Sequence, residues 1–211
     1  MLPLSDPLPG FGLPVPPLWP DTILPLEQRV PSDLLNSFLD SNYLEKPVDW
    51  AYIGLWDSAQ ADTAIISFSC LLLENGELVL PTFAPLDVFL LPLPPGLDSA
   101  HISIWVPGHL ALITANPVDL TQPLTQLNFS DPLLPVPPQM DRIQVSTQVV
   151  LLPSGDSNAD GAIDAADRAN TWNERNTTGY SEDDVTRDGA VNAADRAQCW
   201  NNRNMQGKPV K

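Results

Sequence analysis

Positive charge is scarce in this chain. Ten lysines and arginines stand against 26 acidic residues in 211, for a formal net charge of −16. Nucleic-acid binding and attraction to anionic membrane surfaces both need clustered cations. No basic run exists here, so no nucleic-acid partner is expected. Cysteine is nearly absent: Cys70 sits in the apolar run Phe68–Leu73, and Cys199 takes the slot that Thr171 holds in a repeat described below. Two buried free thiols are the expectation, with a disulfide between them as the alternative. Histidine is limited to His101 and His109. No nucleophile–base pair can be built from their spacing, and carboxylates such as Asp49, Asp57 and Glu74 are scattered rather than paired. The chain is therefore expected to be non-catalytic. Long apolar runs are missing too. The longest, Ala64 to Leu73, has ten residues with two serines and stops at Glu74, where a membrane helix needs about 20. No signal peptide is visible: the first basic residue is Arg29, and prolines break the N-terminal segment.

Proline, by contrast, is abundant. Eight of the 24 fall within residues 1–25, which disfavours helix and central strand there. Residues 1–44 read as a proline-rich lead-in, with one or two helical turns over Ser32–Leu39. From residue 45 to 153 the pattern turns to strands: Val48–Trp56, Thr63–Leu73, Leu78–Leu80, Leu86–Leu91, His101–Val106, Leu110–Thr114, Leu124–Phe129 and Ile143–Leu152. Asn75-Gly76 between two apolar runs predicts a hairpin. Short strands separated by Pro, Gly and Asp predict an antiparallel β-sandwich. Trp50, Trp56 and Trp105 are either its core or, in a rival reading, an exposed platform for a glycan.

Residues 154–205 carry a duplication, followed by a tail at 206–211. Shifting Asp156–Asn176 by 28 residues onto Asp184–Asn204 gives 13 identities in 21 positions. Each copy opens with a loop that has oxygen-bearing side chains at positions 1, 3, 5, 9 and 12, Gly at 6 and an aliphatic residue at 8. That is the spacing by which a short loop wraps Ca²⁺, a hard cation that takes six to eight oxygens. The expected ligands are Asp156, Asn158, Asp160, Asp164, Asp167 and the Ala162 carbonyl in the first loop. In the second they are Asp184, Thr186, Asp188, Asn192, Asp195 and the Ala190 carbonyl. Two calcium ions are expected, the second held less tightly because Thr186 is a neutral hydroxyl. A helical run follows each loop, Ala165–Asn176 and Ala193–Asn204. Ala165, Ala169 and Trp172, like Ala193, Ala197 and Trp200, share one face. That face predicts a mini-core in which the two tryptophans pack between the copies. A module this small has little core of its own, so calcium is expected to contribute to its folding.

Two calcium loops, each followed by a helix and not preceded by one, resemble a type I dockerin module, and more closely a dockerin-like ending of large exported bacterial proteins. Both copies follow D-x-N-x-D-G-x-[VI]-[ND]-A-x-D-R-x-x-x-W-N-x-R-N closely. The upstream segment Val48–Trp56, the Asn75-Gly76 hairpin and His109–Thr114 are similar to the β-rich segment that often precedes this ending. The resemblance implies an extracellular or cell-surface location within a larger exported chain and an indirect link to polysaccharide breakdown. It also implies a cohesin-like or cell-surface protein partner. The chain departs from cohesin-binding members in its 28-residue period and in Ala-Ala at loop positions 10 and 11 of both copies.

Overall fold

The computed structural model describes residues 47–73, 76–79, 93–122, 125–179 and 181–210. The proline-rich lead-in, the turns expected over Ser32–Leu39 and the strand expected at Leu86–Leu91 lie outside these residues.

The described chain is mainly β, with antiparallel pairing throughout and two short helices. Strand β1 (Pro47–Trp56) is central. It pairs with β2 (Ile66–Leu73) on one side and with β4 (Ser99–Trp105) on the other. β3 (Leu78–Val79) extends the sheet beyond β2, and β6 (Leu112–Ile113) and β7 (Val118–Asp119) both pair with β4. The β2–β3 turn closes where expected. Gly76 has φ +86° and donates to Leu73 O at 2.9 Å, while Leu73 N donates to Glu77 O at 2.8 Å.

Residues 49–56 of β1 are buried on both faces, as suits a central strand with cover above and below. Ala51, Ile53 and Leu55 point to one core with Phe68, Cys70, Ala100, Ile104, Val106 and Leu112. On the opposite face Tyr52 stacks on Trp105 at 4.9 Å between ring centroids. Trp56 donates from Nε1 to Ser103 Oγ at 2.8 Å. Gly54 makes room for that indole: a Cβ there would stand 2.6 Å from Trp56 Nε1.

Two expected strands differ. Thr125–Phe129 has no regular structure; Pro123 and Pro132 bracket it, and Thr125 Oγ1 donates to Asp119 O instead of the chain joining a ladder. Ile143–Leu152 is not one strand but a hairpin of β8 (Ile143–Gln144) and β9 (Val150–Leu151). Ser146 turns the chain by accepting from Gln148 N at 3.1 Å. Of the expected strand Leu110–Thr114 only Leu112–Ile113 forms one, β6; the short β5 (Gly108–His109) precedes it and pairs with β10 (Ser154–Asp156).

That last pairing carries the chain into the duplicated region. Its helices α1 (Ala165–Asn173) and α2 (Ala193–Asn201) are shorter than expected. Asn176 and Asn204 adopt φ +73° and +69°, a left-handed conformation that asparagine tolerates at helix ends. Among the described residues no helix is long and apolar enough to cross a membrane.

Candidate metal centre

The two acidic loops have the same backbone. Position 4 is left-handed in both, Ala159 at φ 59° and Arg187 at φ 59°, and position 6 follows with Gly161 at 85° and Gly189 at 90°. Short side-chain turns wind each loop. Asn158 Oδ1 accepts from Asp160 N at 3.0 Å, and Asp160 Oδ1 from Ala162 N at 2.9 Å. In the second loop Asp188 Oδ1 accepts from Ala190 N at 3.0 Å. Position 9 caps the helix: Asp164 Oδ1 accepts from Ala166 N, and Asn192 Oδ1 from Ala194 N.

Position 12 closes each loop. Asp167 Oδ1 accepts from Ser157 N at 2.9 Å and its Oδ2 from Asp164 N at 2.8 Å. Asp195 repeats this, with Thr186 N at 2.9 Å, Thr186 Oγ1 at 2.8 Å and Asn192 N at 2.8 Å. Position 1 reaches position 6: Asp156 Oδ2 accepts from Gly161 N at 3.1 Å, and Asp184 Oδ2 from Gly189 N at 2.8 Å. Thr186 leans toward Asp184 Oδ1 at 3.4 Å. Asn192 spends its amide on the Ala190 carbonyl at 3.0 Å and on Asp188.

Asp156, Asp167 and Asp195 are fully buried, and Asp184 nearly so. Asp156 Oδ1 is buried without a hydrogen-bond partner among the described residues. Burial, with the Asp167 charge next in size, pushes the Asp156 carboxyl up to about 7. Burial likewise raises Asp167 and Asp184. Buried carboxylates of like sign ask for a counter-charge. Among the described residues no three His, Cys, Asp or Glu side chains converge as a ready-made metal cage. A calcium loop does not need three carboxylates, because it also uses amide, hydroxyl and backbone carbonyl oxygens. The donor chemistry and the orphaned Asp156 Oδ1 thus fit a hard cation.

Ile163 and Val191, at position 8 of the two loops, do not pair with each other among the described residues. Val191 exchanges hydrogen bonds with the segment after α1, through Asn176 N at 2.8 Å and Thr177 O at 3.0 Å; Ile163 does the same after α2, through Asn204 N at 2.8 Å and Met205 O at 3.0 Å. Each copy is completed by the other in this region.

The expected tryptophan mini-core is not there. Trp172 and Trp200 are 46% and 48% exposed. The buried helix stripe is instead Asp167–Thr171 and Asp195–Cys199. Because position 12 must return to its loop, the residue four further on also turns inward, and the tryptophan one step beyond turns out. Cys199 therefore shares the buried slot with Thr171; both cysteines are free and buried, and burial raises Cys199 to about 12. The core under the loops is Leu110, Ile163, Val185 and Cys199, with Met205 at its edge. The tryptophans lie in a crossed ladder: Arg168 and Arg203 over Trp200 at 4.6 and 4.3 Å, Arg196 and Arg175 over Trp172 at 4.9 and 4.4 Å.

Several functional contacts were not visible in the sequence. The C-terminal segment runs between the first loop and the sheet: Lys208 N donates to Ala111 O at 2.9 Å, Gly207 N to Gly161 O at 2.8 Å and Val210 N to Ala159 O at 3.2 Å. Lys208 Nζ donates to Ala61 O at 2.7 Å and lies over Trp56. Arg187, at position 4 of the second loop, pairs with Asp49 of β1 at 2.8 Å. The only hint was an arginine where the first copy has alanine. Trp50, Trp56 and Trp105 are buried as core residues, so none of the three offers the exposed glycan platform of the rival reading. Both histidines are engaged by backbone carbonyls, His101 by Thr114 O and His109 by Pro107 O.

No protein-family model matches the chain, and no curated protein matches it. Among solved structures it is similar to a crystallised type II cohesin–X-dockerin complex, an N-terminal interface mutant from Acetivibrio cellulolyticus. The match has 15% identity and a TM-score of 0.37, and covers 75% of this chain and 83% of that chain. A likeness that distant carries neither a fold nor a function across.

Proposed function

We propose that the chain is a non-catalytic, calcium-binding part of an exported or cell-surface protein, a β-sandwich carrying a duplicated calcium-loop module. The observation that supports this best is Asp156: a wholly buried carboxylate, raised to about 7 by burial, with one oxygen that no described donor satisfies. Asp156, Asn158, Asp160, Asp164, Asp167 and the Ala162 carbonyl would hold one ion. Asp184, Thr186, Asp188, Asn192, Asp195 and the Ala190 carbonyl would hold the other. Calcium supplies positive charge and oxygen coordination to carboxylates that are otherwise buried together. The chain's own contribution is to wind each loop, and to fix position 12 through backbone amides so that the helix starts in register. The docking or anchoring role, toward a cohesin-like or cell-surface protein, rests on the sequence resemblance. The outer side of α1 and α2, with its exposed ladder, is the face such a partner would meet.

Calorimetric titration of the full chain should show two calcium ions bound, the first loop tighter than the second. Affinities should fall in the range of extracellular modules, roughly 10⁻⁴ to 10⁻³ M or tighter. Asp156→Ala should remove one site and leave the other. No uptake at millimolar calcium would end the proposal.

A further inference from the structure

Loop position 4 points no ligand at a cation, and in the first loop it is a buried alanine, Ala159. In the second loop it is Arg187, and its side chain leaves the loop altogether. Nε stands 2.8 Å from Asp49 Oδ2 on β1, with both side chains largely buried. One terminal nitrogen donates to the Pro107 carbonyl, in the turn between β4 and β5. The other donates to Ser181 O at 2.7 Å and to Asp184 O at 3.0 Å. One guanidinium thus ties the entry of the second loop, including its first residue Asp184, to two elements of the sheet. Asp49 is itself oriented by the Trp50 amide at 2.7 Å.

An arginine that follows Thr186 and precedes Asp188 in sequence, with its guanidinium on the Asp184 carbonyl, puts positive charge beside a proposed cation site. Its charge would oppose an incoming divalent ion unless something neutralises it. From these contacts we infer that Asp49, 135 residues upstream of Asp184, is a positioning residue for the second calcium site. It cancels the Arg187 charge and, through Arg187, holds the loop entry in its binding form, so occupancy of this site is coupled to the integrity of β1. The first loop has Ala159 at this position, so no guanidinium ties it to β1. This inference rests on the calcium reading above.

The test is calcium titration of the full chain as Asp49→Asn, Arg187→Ala and the double variant. Intact folding of the sheet is checked by near-ultraviolet circular dichroism. Asn keeps the size of Asp and removes its charge. In Asp49→Asn the second site should weaken about tenfold or more, while the first keeps its affinity. In the Arg187→Ala background the same Asp49→Asn change should have no further effect on the second site, because Asp49 acts only through Arg187. An unchanged second site overturns the inference, as does equal weakening of both sites or an effect of Asp49→Asn that persists without Arg187. If the unaltered chain takes up no calcium, the calcium reading itself has failed; if it binds two ions and Asp49→Asn binds them equally well, only the coupling has.

Discussion

Asp156 shows how much a single side chain can hold in tension. Its carboxyl has a pKa near 7 in the fold, against about 3.9 in an unfolded chain. The folded state without calcium therefore binds a proton that the unfolded state releases. Stability from this group is greatest at acidic pH and is lost as pH rises through about 7. Calcium needs the ionised form. Near neutral pH its uptake should release part of a proton at the first loop, so the binding enthalpy should depend on the ionisation enthalpy of the buffer. A buffer-independent enthalpy at pH 7, with loop binding otherwise intact, would contradict the raised pKa. Gly161 illustrates a steric limit at the same scale. Its φ is +85°, and a Cβ would stand 2.6 Å from Pro209 N. Gly161→Ala should displace the C-terminal segment and lower the melting temperature, where Gly179→Ala, with open space around its Cβ position, bears only the backbone strain.

Among the elements, α1 and α2 show what a periodic pattern conveys and where it stops. The duplication and the helix starts at Ala165 and Ala193 were legible, because they are set within a few residues of chain; the capping by Asp164 and Asn192 was not read from the sequence. The face of each helix was not. Ala165, Ala169 and Trp172 looked like the apolar side, yet the side turned inward is Asp167 and Thr171. Hydrophobicity lost to the geometry of loop closure, which no periodicity count contains. The hairpin at Asn75-Gly76 was legible for the local reason that its turn needs positive φ. The division of Ile143–Leu152 into β8 and β9 was masked by an unbroken β-favouring composition. A stability comparison follows from the corrected face. Ile163→Ala should cost about 2–5 kcal/mol in urea unfolding. Trp172→Ala should cost less, chiefly its two arginine contacts at about 0.5–1 kcal/mol each. The opposite order would restore the tryptophans to the core.

At the scale of the whole molecule, the duplicated region and the sheet share a structure. Leu110 belongs to the core under the loops, β5 pairs with β10, and Asp141 exchanges hydrogen bonds with Gln206 at 2.7 and 2.8 Å. These contacts join the loop region to segments far upstream that no local pattern reports. Calorimetry of the calcium-loaded chain should accordingly show one cooperative transition, and Leu110→Ala should lower it for both parts together. Two resolved transitions would mean that the parts melt separately. Within the duplicated region a different economy holds. Arg168 of the first copy covers Trp200 of the second, and Arg196 of the second covers Trp172 of the first. Ile163 and Val191 likewise bond to the segment that follows the other copy's helix. Every one of these contacts has its equivalent 28 residues away, so either copy alone carries both halves of the clasp. In these backbone and arginine–tryptophan contacts each copy gives the other what it receives. The arrangement is that of a homodimer whose subunits have been fused into one chain.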